Sequence, residues 1–186
     1  MKIENFFKHL HTVNKHRFYV FKLSLKAGIP VRGLLHDLSK YSPTEFWEGV
    51  KYYNGKRSPI SVCKQENGYS EAWLHHKGRN KHHFEYWIDL QAENKTPIIP
   101  YKYAVEMICD TLAASLVYNG KEWKRDTPLN YFNKRKDKEY INLGIQKFLL
   151  TVYEQIANDG IDKVVTSHNL KRIYEECVKQ NMKQTS

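Results

Sequence analysis

A histidine followed directly by an aspartate, His36-Asp37, lies between leucines in the first quarter of this chain. The pair offers an imidazole nitrogen and a carboxylate from neighbouring backbone positions. We expect Leu34, Leu35 and Leu38 to bury the short helix that carries the pair, so both polar groups need partners inside the fold. An isolated buried carboxylate is too costly to keep. A divalent metal ion would satisfy it.

Further ligand-type side chains surround this pair along the chain. Eight of the nine histidines lie within the first 83 residues. His16 precedes His36, whereas His75-His76, His82-His83 and Asp110 follow it. Imidazole and carboxylate ligands together suit borderline first-row ions, so this set predicts a site for Mn, Fe, Co, Ni or Zn.

The first helix supports a metal role for His16. An amphipathic pattern begins near Ile3 and ends at Gly28, and His16 lies on its apolar stripe with Val13 and Val20. A lone histidine on such a face is usually a core residue with an ordinary hydrogen bond. The ligand-type residues that follow favour a ligand in this case.

The two histidine pairs offer two candidates each, and helical periodicity selects between them. His76 shares one face with Tyr69, Ala72 and Trp73, at spacings of three, four and seven residues, which leaves His75 pointing sideways or outward. We therefore expect His76 to point into the core.

A break at Gly78-Arg79-Asn80 separates the two pairs, and Asn80 can cap a following helix. In that helix His83 would lie towards the core with Trp87, whereas His82 would lie with Glu85. On one straight helix His76 and His83 would stand roughly 10 Å apart, too far to share an ion. We predict that the turn brings His76 and His83 together as ligands, and that His75 and His82 do not bind metal directly.

The sequence pattern also predicts helices in the remaining segments. Pro30 starts the helix with the His-Asp pair, and Ser42-Pro43-Thr44-Glu45 predicts a capping box with proline at the first helical position. We expect residues 54–68 to form a surface loop with a short helical turn after Pro59.

A long helix is predicted from Tyr101 to Tyr118, with Asp110 on its inward stripe and Asn119-Gly120 at its end. Residues 121–138 are polar, and two more helices are expected at about 139–158 and 167–182. We see no strand alternation or internal repeat, so the predicted fold is all-α.

The order His, His-Asp, His, His, Asp resembles the HD superfamily of helical metal-dependent phosphohydrolases. Longer segments are similar to a small bacterial and phage family of uncharacterised function within it: Gly33 to Phe46, Ala72 to His76, Asn80 to Trp87, and Glu106 to Asp110. The resemblance covers about residues 13–120 and implies an HD-like helical bundle with the metal-site core there. The length of 186 residues suits a single domain over 1–186, in which residues 121–186 would form a helical extension.

The resemblance also implies a ligand set. His16, His36, Asp37 and Asp110 would hold one ion, and His76 and His83 would hold a second, with Asp37 shared between the two. Such a pair can activate a water for attack at phosphorus, so no protein nucleophile is required. The sequence has no Gly-x-Ser-x-Gly elbow, no Gly-Lys-Ser/Thr phosphate loop and no His-Glu-x-x-His motif.

Lys40 matches the lysine of many HD motifs, and we group it with Asp37 as a catalytic candidate. It would contact a substrate phosphate or clamp the Asp37 carboxylate, with a simple helix-end cation as the alternative. Lys77 and Arg79 flank the second histidine pair and are candidates for substrate binding. They can equally be solubility residues of a loop.

The composition limits the kinds of substrate and partner that we expect. Thirty Lys and Arg against twenty Asp and Glu give a net charge of +10, which favours a small anionic, phosphate-containing substrate. Nucleic acid is possible but not favoured as a partner.

The sequence also predicts where the protein works. No apolar run approaches the length of a membrane span, and Lys2, Glu4 and Lys8 argue against a cleaved signal peptide. Three cysteines without a Cys-x-x-Cys pair disfavour a disulfide framework or a zinc finger, and we expect a cytoplasmic protein.

The function predicted from these residues is a metal-dependent phosphohydrolase acting on a nucleotide or another small phosphate ester. One or two metal ions would activate the attacking water. Two alternatives stay open at this point. One is an HD-fold di-iron oxygenase, and the other is a non-catalytic binding module with a structural metal.

Overall fold

The computed structural model describes residues 3–182, with side chains through residue 178. These residues form ten α-helices joined by turns and short 3-10 segments, which confirms the predicted all-α class. The helices are α1 Ile3–Lys26, α2 Pro30–Leu35, α3 Pro43–Lys51, α4 Pro59–Asn67, α5 Glu71–Lys77, α6 Tyr101–Asn119, α7 Thr127–Lys134, α8 Leu143–Asp159, α9 Ile161–Val164 and α10 Ser167–Met182. The 3-10 segments are Leu38–Tyr41, Phe84–Trp87, Gly120–Glu122 and Lys138–Tyr140.

Helix α6 is the central element of the bundle. It packs against α1 and α2 on one side and against α7 and α10 on the other, and α8 packs against α10. Its residues 104–109 are all buried, so this segment is surrounded by other helices. One apolar cluster runs from Val20 on α1 through Ile108 on α6 to Phe148 on α8 and Ile173 on α10. No helix in the described residues is long and apolar enough to cross a membrane.

Several predicted helix ends are confirmed. Helix α1 ends just before Gly28, which has a left-handed φ of 77°. Ser42 caps α3 by accepting a hydrogen bond from the Glu45 backbone N–H at 3.4 Å. The helix predicted over about 139–158 ends at Asp159 in the structure, as α8. The cysteines Cys63, Cys109 and Cys177 are free and buried.

The prediction that leucines bury the His-Asp helix is wrong. Leu34, Leu35 and Leu38 are 60%, 51% and 50% exposed, and α2 ends before His36. The inward position of α2 is occupied by Gly33, whose missing side chain lets α2 pack against Ser24 of α1. The His-Asp pair therefore lies on a turn, where its own polar groups point inward and the leucines point outward.

The polar segment 121–138, which lies in the predicted helical extension, contains α7. Two other expectations need correction. Residues 54–68 contain the two-turn helix α4, which begins at Pro59 and ends at Asn67, rather than a loop with one short turn. The helix expected after Asn80 does not form, and only the 3-10 turn Phe84–Trp87 follows. Asn80 instead turns its amide back to the His76 carbonyl, at 2.8 Å, so it terminates α5 and caps nothing beyond it.

Candidate metal centre

The turn that carries the His-Asp pair has an unusual backbone. Asp37 has a φ of 54°, and it is the one non-glycine residue with a positive φ in the described part of the chain. Left-handed backbone is uncommon outside glycine, although aspartate tolerates it better than most residues. Arg17 of α1 holds the turn by donating to the carbonyls of Leu34 and His36, both at 2.8 Å.

The first group of ligand-type atoms contains four residues predicted from the sequence: His16, His36, Asp37 and Asp110. His16 Nε2 lies 3.0 Å from Asp110 Oδ1 and 3.3 Å from His36 Nε2. His36 Nε2 lies 3.1 Å from Asp37 Oδ2. Ligands at ~2.1 Å from a tetrahedral ion stand roughly 3.4 Å apart, so this spacing fits a bound ion.

The second group contains Asp37, His76, His82 and His83. His76 Nε2 and His82 Nε2 each lie 3.4 Å from Asp37 Oδ1. The His83 ring packs against His82 and His76 at centroid distances of 4.3 and 4.8 Å. The structure thus brings together the predicted pair His76 and His83.

The prediction that His82 faces away with Glu85 is wrong. His82 is completely buried, and its Nε2 faces the same Asp37 oxygen as His76 does. The reason is that residues 80–83 form a turn, so consecutive side chains need not follow helical facing. His75, by contrast, contributes to neither group, and its Nδ1 lies 2.6 Å from Glu45 Oε1.

Asp37 is shared by the two groups through different oxygens. Oδ2 faces His36, while Oδ1 faces His76 and His82. A carboxylate in this position can bridge two ions. The shared role expected of Asp37 is thus compatible with the geometry.

Two buried glutamates behind the histidines had no role in the sequence prediction. Glu106 lies 3.1 Å from His36 Nδ1 and 3.3 Å from His82 Nδ1, and Glu45 lies 2.7 Å from His76 Nδ1. A carboxylate on the far nitrogen of a histidine is the usual outer partner of a metal ligand. Glu106 could have been found because it lies one helical turn before Asp110. Glu45 was hidden by its position in the capping box.

His36, His82 and Glu106 also lie close enough together to be counted as a third possible ligand group. The atoms that approach Glu106 are the Nδ1 atoms of the two histidines. Their Nε2 atoms face Asp37 instead. Glu106 therefore fits better as a hydrogen-bond acceptor behind the ligands than as a ligand.

Lys40 lies beside the first group, with its Nζ 2.6 Å from Asp37 Oδ2 and a quarter of its side chain exposed. Of the roles predicted for Lys40, the structure shows the contact with the Asp37 carboxylate. Burial opposes the charge on Lys40, but the Asp37 and Asp110 carboxylates outweigh it and raise the pKa of Lys40 above its usual value. The ammonium group stays charged at neutral pH.

Lys77 and Arg79 are not brought to the ligand groups. Arg79 is exposed and donates to the His75 carbonyl at 3.5 Å. Among the described residues, neither side chain forms an ion pair with Asp37 or Asp110. Their predicted role in substrate binding has no contact here to support it.

Three of the four residues in the first group have the charge state that a metal ion requires, and His36 is the exception. Burial favours neutral His36, but the Asp37 and Asp110 carboxylates raise the pKa of His36 well above its usual value, so an ion would have to displace its proton. Burial favours the neutral form of Asp37, but His36 and Lys40 lower the pKa of Asp37 well below its usual value. Burial also favours neutral Asp110, and hydrogen bonds from His16 and His36 lower its pKa well below the usual value. Burial lowers the pKa of His16 to about 4, which leaves it neutral. Metal ligands must be deprotonated, and these three are.

A family model described as "Family of unknown function (DUF5662)" matches residues 5–158, which include every residue of both ligand groups. No curated protein and no solved structure matches this chain significantly.

Proposed function

The chain belongs to the family of unknown function DUF5662, and we propose that it is a metal-dependent phosphohydrolase of HD type. Its substrate would be a nucleotide or another small phosphate ester. The observation that carries the proposal is the position of Asp37, whose two oxygens face two separate groups of buried ligand-type atoms. This arrangement suits two ions at close separation.

The residues fit metal ions because several of their atoms are otherwise unsatisfied. Both ring nitrogens of His82, His83 Nε2 and both Asp37 oxygens are buried without a well-directed hydrogen bond from the described residues. Glu106 lies 3.3 Å from His82 Nδ1, and Lys40 lies close to Asp37 Oδ2. Buried polar atoms are normally satisfied, so such a concentration requires an explanation. An ion in each group would provide it.

When bound, two divalent ions supply Lewis acidity and lower the pKa of a water held between them. The residues of the chain supply the rest of the site. Asp37 and Asp110 would offset the positive charge of the ions, and the buried rings of His36, His76 and His82 would limit their contact with bulk water.

The first group is partly open to solvent. The Asp110 side chain is 18% exposed and that of Lys40 is 25% exposed, whereas those of the other ligand-type residues in that group are 7% exposed or less. A substrate would therefore reach the centre past Asp110 and Lys40. Lys40 keeps a positive charge at this opening, which favours a phosphate group over a neutral substrate.

The metal requirement is tested first with a matched pair of histidines on α1. His16→Ala removes a buried member of the first group, whereas His11→Ala removes an exposed histidine five residues earlier. We expect elemental analysis to show metal loss in His16→Ala and an unchanged content in His11→Ala. Equal metal contents in both variants would contradict the assignment.

The reaction is tested by phosphate release with added Mn, Co or Ni. The substrates are nucleoside mono-, di- and triphosphates, cyclic dinucleotides and an aryl phosphate, with Asp37→Ala as the inactive control. We expect turnover above the level of that control on at least one substrate. Two retained iron ions with oxygen consumption and no phosphate release would instead favour the di-iron oxygenase.

A further inference from the structure

Glu106 lies behind both ligand groups and is completely buried on α6. We propose that Glu106 is a shared positioning residue, which orients one histidine of each group so that both ions depend on a single carboxylate. The inference rests on the proposed function for the presence of an ion in each group. Beyond that function, it explains how one histidine of each group is held in position relative to the other.

The two oxygens of Glu106 have different partners. Oε1 is hydrogen-bonded to Nδ1 of His36 at 3.1 Å and lies 3.3 Å from Nδ1 of His82, which is an ion-pair distance without the alignment of a hydrogen bond. Oε2 accepts from Arg32 Nε at 2.8 Å and lies 2.6 Å from Arg32 Nη2. Oε1 therefore contacts the two histidines, and Oε2 contacts the guanidinium of Arg32.

This division determines which nitrogen of each ring faces the centre. A carboxylate beside Nδ1 favours a proton on that nitrogen, which leaves the Nε2 lone pair free for a metal. His36 Nε2 lies 3.1 Å from Asp37 Oδ2 in the first group, and His82 Nε2 lies 3.4 Å from Asp37 Oδ1 in the second. Glu106 thus prepares one ligand for each ion.

Arg32 holds one oxygen of the Glu106 carboxylate. It reaches Glu106 from α2, with its side chain 31% exposed and its guanidinium 4.8 Å from the centre of the Tyr103 ring. Both Nε and Nη2 contact Oε2, so this charge-assisted pair holds Oε2 in place and leaves Oε1 to the histidines. The chain of contacts runs from the surface through Arg32 and Glu106 to both ligand groups.

Glu45 provides the natural comparison because it supports one group alone. Its oxygens lie 2.6 Å from His75 Nδ1 and 2.7 Å from His76 Nδ1. His76 belongs to the second group, and His75 belongs to neither. A change at Glu45 should disturb one ion, whereas a change at Glu106 should disturb both.

The experiment compares Glu106→Gln with Glu45→Gln by titrating metal-free protein with Co²⁺ in a calorimeter. Glutamine keeps the size of the side chain but has one acceptor oxygen, so it cannot serve Arg32 and both histidines together. Loss of an outer partner typically weakens metal affinity about 10- to 100-fold. We expect a loss of this size at both sites in Glu106→Gln and at one site in Glu45→Gln.

A second readout reports the histidine tautomers directly. In the Zn²⁺-loaded protein, long-range ¹H–¹⁵N spectra should show the proton of His36 and of His82 on Nδ1. Glu106→Gln should alter the Nδ1 signals of both rings, and Glu45→Gln should leave them unchanged. Arg32→Lys, at a partly exposed position, should weaken both sites as well and serves if Glu106→Gln fails to fold.

The outcomes separate this inference from the proposed function. Unchanged affinity at both sites in Glu106→Gln, or a loss at one site alone, would overturn the shared role. Wild-type protein that binds fewer than two ions would overturn the shared role and the dinuclear centre together. Normal two-ion binding without phosphate release would contradict the phosphohydrolase and leave the role of Glu106 intact.

Discussion

The left-handed backbone of Asp37 explains how two adjacent residues both face the centre. In a regular helix, neighbouring side chains point about 100° apart, and they would not converge on one ion. The φ of 54° at Asp37 bends the chain so that the side chains of His36 and Asp37 are both 1% exposed or less. Such a conformation costs of order 1–3 kcal/mol and is retained where the surroundings enforce it. Here the carbonyl contacts of Arg17 provide that enforcement.

The second ligand group gives a prediction about neighbouring histidines. We expect His82→Ala and His83→Ala each to lower the metal content towards one ion per chain, because both rings pack around Asp37 Oδ1 with His76. His75→Ala should retain the wild-type content, since its Nδ1 faces Glu45. Elemental analysis measures all three. A loss in His75→Ala with a normal content in His82→Ala would mean that the turn at 78–83 is differently arranged.

His9 gives a prediction about pH at a site apart from the ligand groups. It is 8% exposed, and burial together with the charge of Lys40 lowers the pKa of His9 to about 4. An unfolded chain takes up this proton near pH 6.5. The contribution of neutral His9 is therefore complete above pH 6.5 and is lost as the pH falls towards 4, by about 2 kcal/mol between pH 7.5 and pH 5.

The measurement for His9 is urea unfolding of metal-free protein at both pH values. His9→Leu lacks the titrating group, so its unfolding free energy should fall less than that of the wild type by about the same 2 kcal/mol. Comparing the two proteins cancels the contributions of all other titrating groups. Parallel losses in the two proteins would show that His9 is protonated in the native state.

At the scale of elements, the second group depends on where α5 stops. The backbone N–H groups of Arg79 and Asn80 both donate to the His76 carbonyl at 3.1 Å, which closes the helix in a tight turn. The Asn80 side chain also donates to Ser39 Oγ at 2.8 Å and so ties this turn to the segment after the His-Asp pair. His76, at the end of α5, can then meet His82 and His83 from the turn.

The close contact between α1 and α2 gives a prediction at this scale. A Cβ placed on Gly33 would lie 2.4 Å from Ser24 Cβ and 3.2 Å from Phe21 Cα, so Gly33→Ala must push α2 away from α1. Overpacking of this kind typically costs 1–3 kcal/mol, so we expect roughly that loss of unfolding free energy. Metal affinity should also fall, because α2 leads directly into the His-Asp turn.

The control for this prediction removes the obstructing side chain instead. Adding Ser24→Gly to Gly33→Ala restores the space, so the double variant should regain metal affinity relative to Gly33→Ala alone. Full metal affinity in Gly33→Ala would show that α2 can shift without moving the turn.

For the whole molecule, the centre joins parts of the chain that are far apart in sequence. Its ligand-type residues come from α1, the His-Asp turn, α5, the turn at 82–83 and α6. The apolar cluster continues beyond the family match, which ends at residue 158, because Leu170 and Ile173 of α10 are buried in it. Helix α10 packs against both α6 and α8.

Metal removal should therefore destabilise the whole fold. An ion present at about 1,000 times its dissociation constant stabilises the native state by about 4 kcal/mol, which corresponds to roughly 10 °C in the unfolding midpoint. We expect a shift of this size between metal-loaded and chelator-treated wild type in a thermal scan. Asp37→Asn should show almost no difference between the two conditions. Equal midpoints for loaded and stripped wild type would contradict a site within the folding core.

The sequence alone determined the helical class and the long amphipathic helices, because apolar spacing is a local property that needs no knowledge of neighbours. The stripe with Val13, His16 and Val20 and the capping residue Ser42 appear in the structure as predicted. The resemblance to the HD pattern placed His16, His36, Asp37 and Asp110 in one ligand set, and the structure brings ligand-type atoms of these four residues together.

The tertiary structure determined the orientation of side chains in turns and the contacts between distant residues, which local periodicity does not predict. His82 turned inward because residues 80–83 form a turn, where the facing of a side chain follows from the backbone path and not from a helical repeat. Leu34 and Leu35 turned outward because α1 accepts Gly33 in close contact. Glu106 acquired its partners His36 and His82 through the packing of α6 against distant segments, and such contacts between distant residues leave no pattern in the sequence.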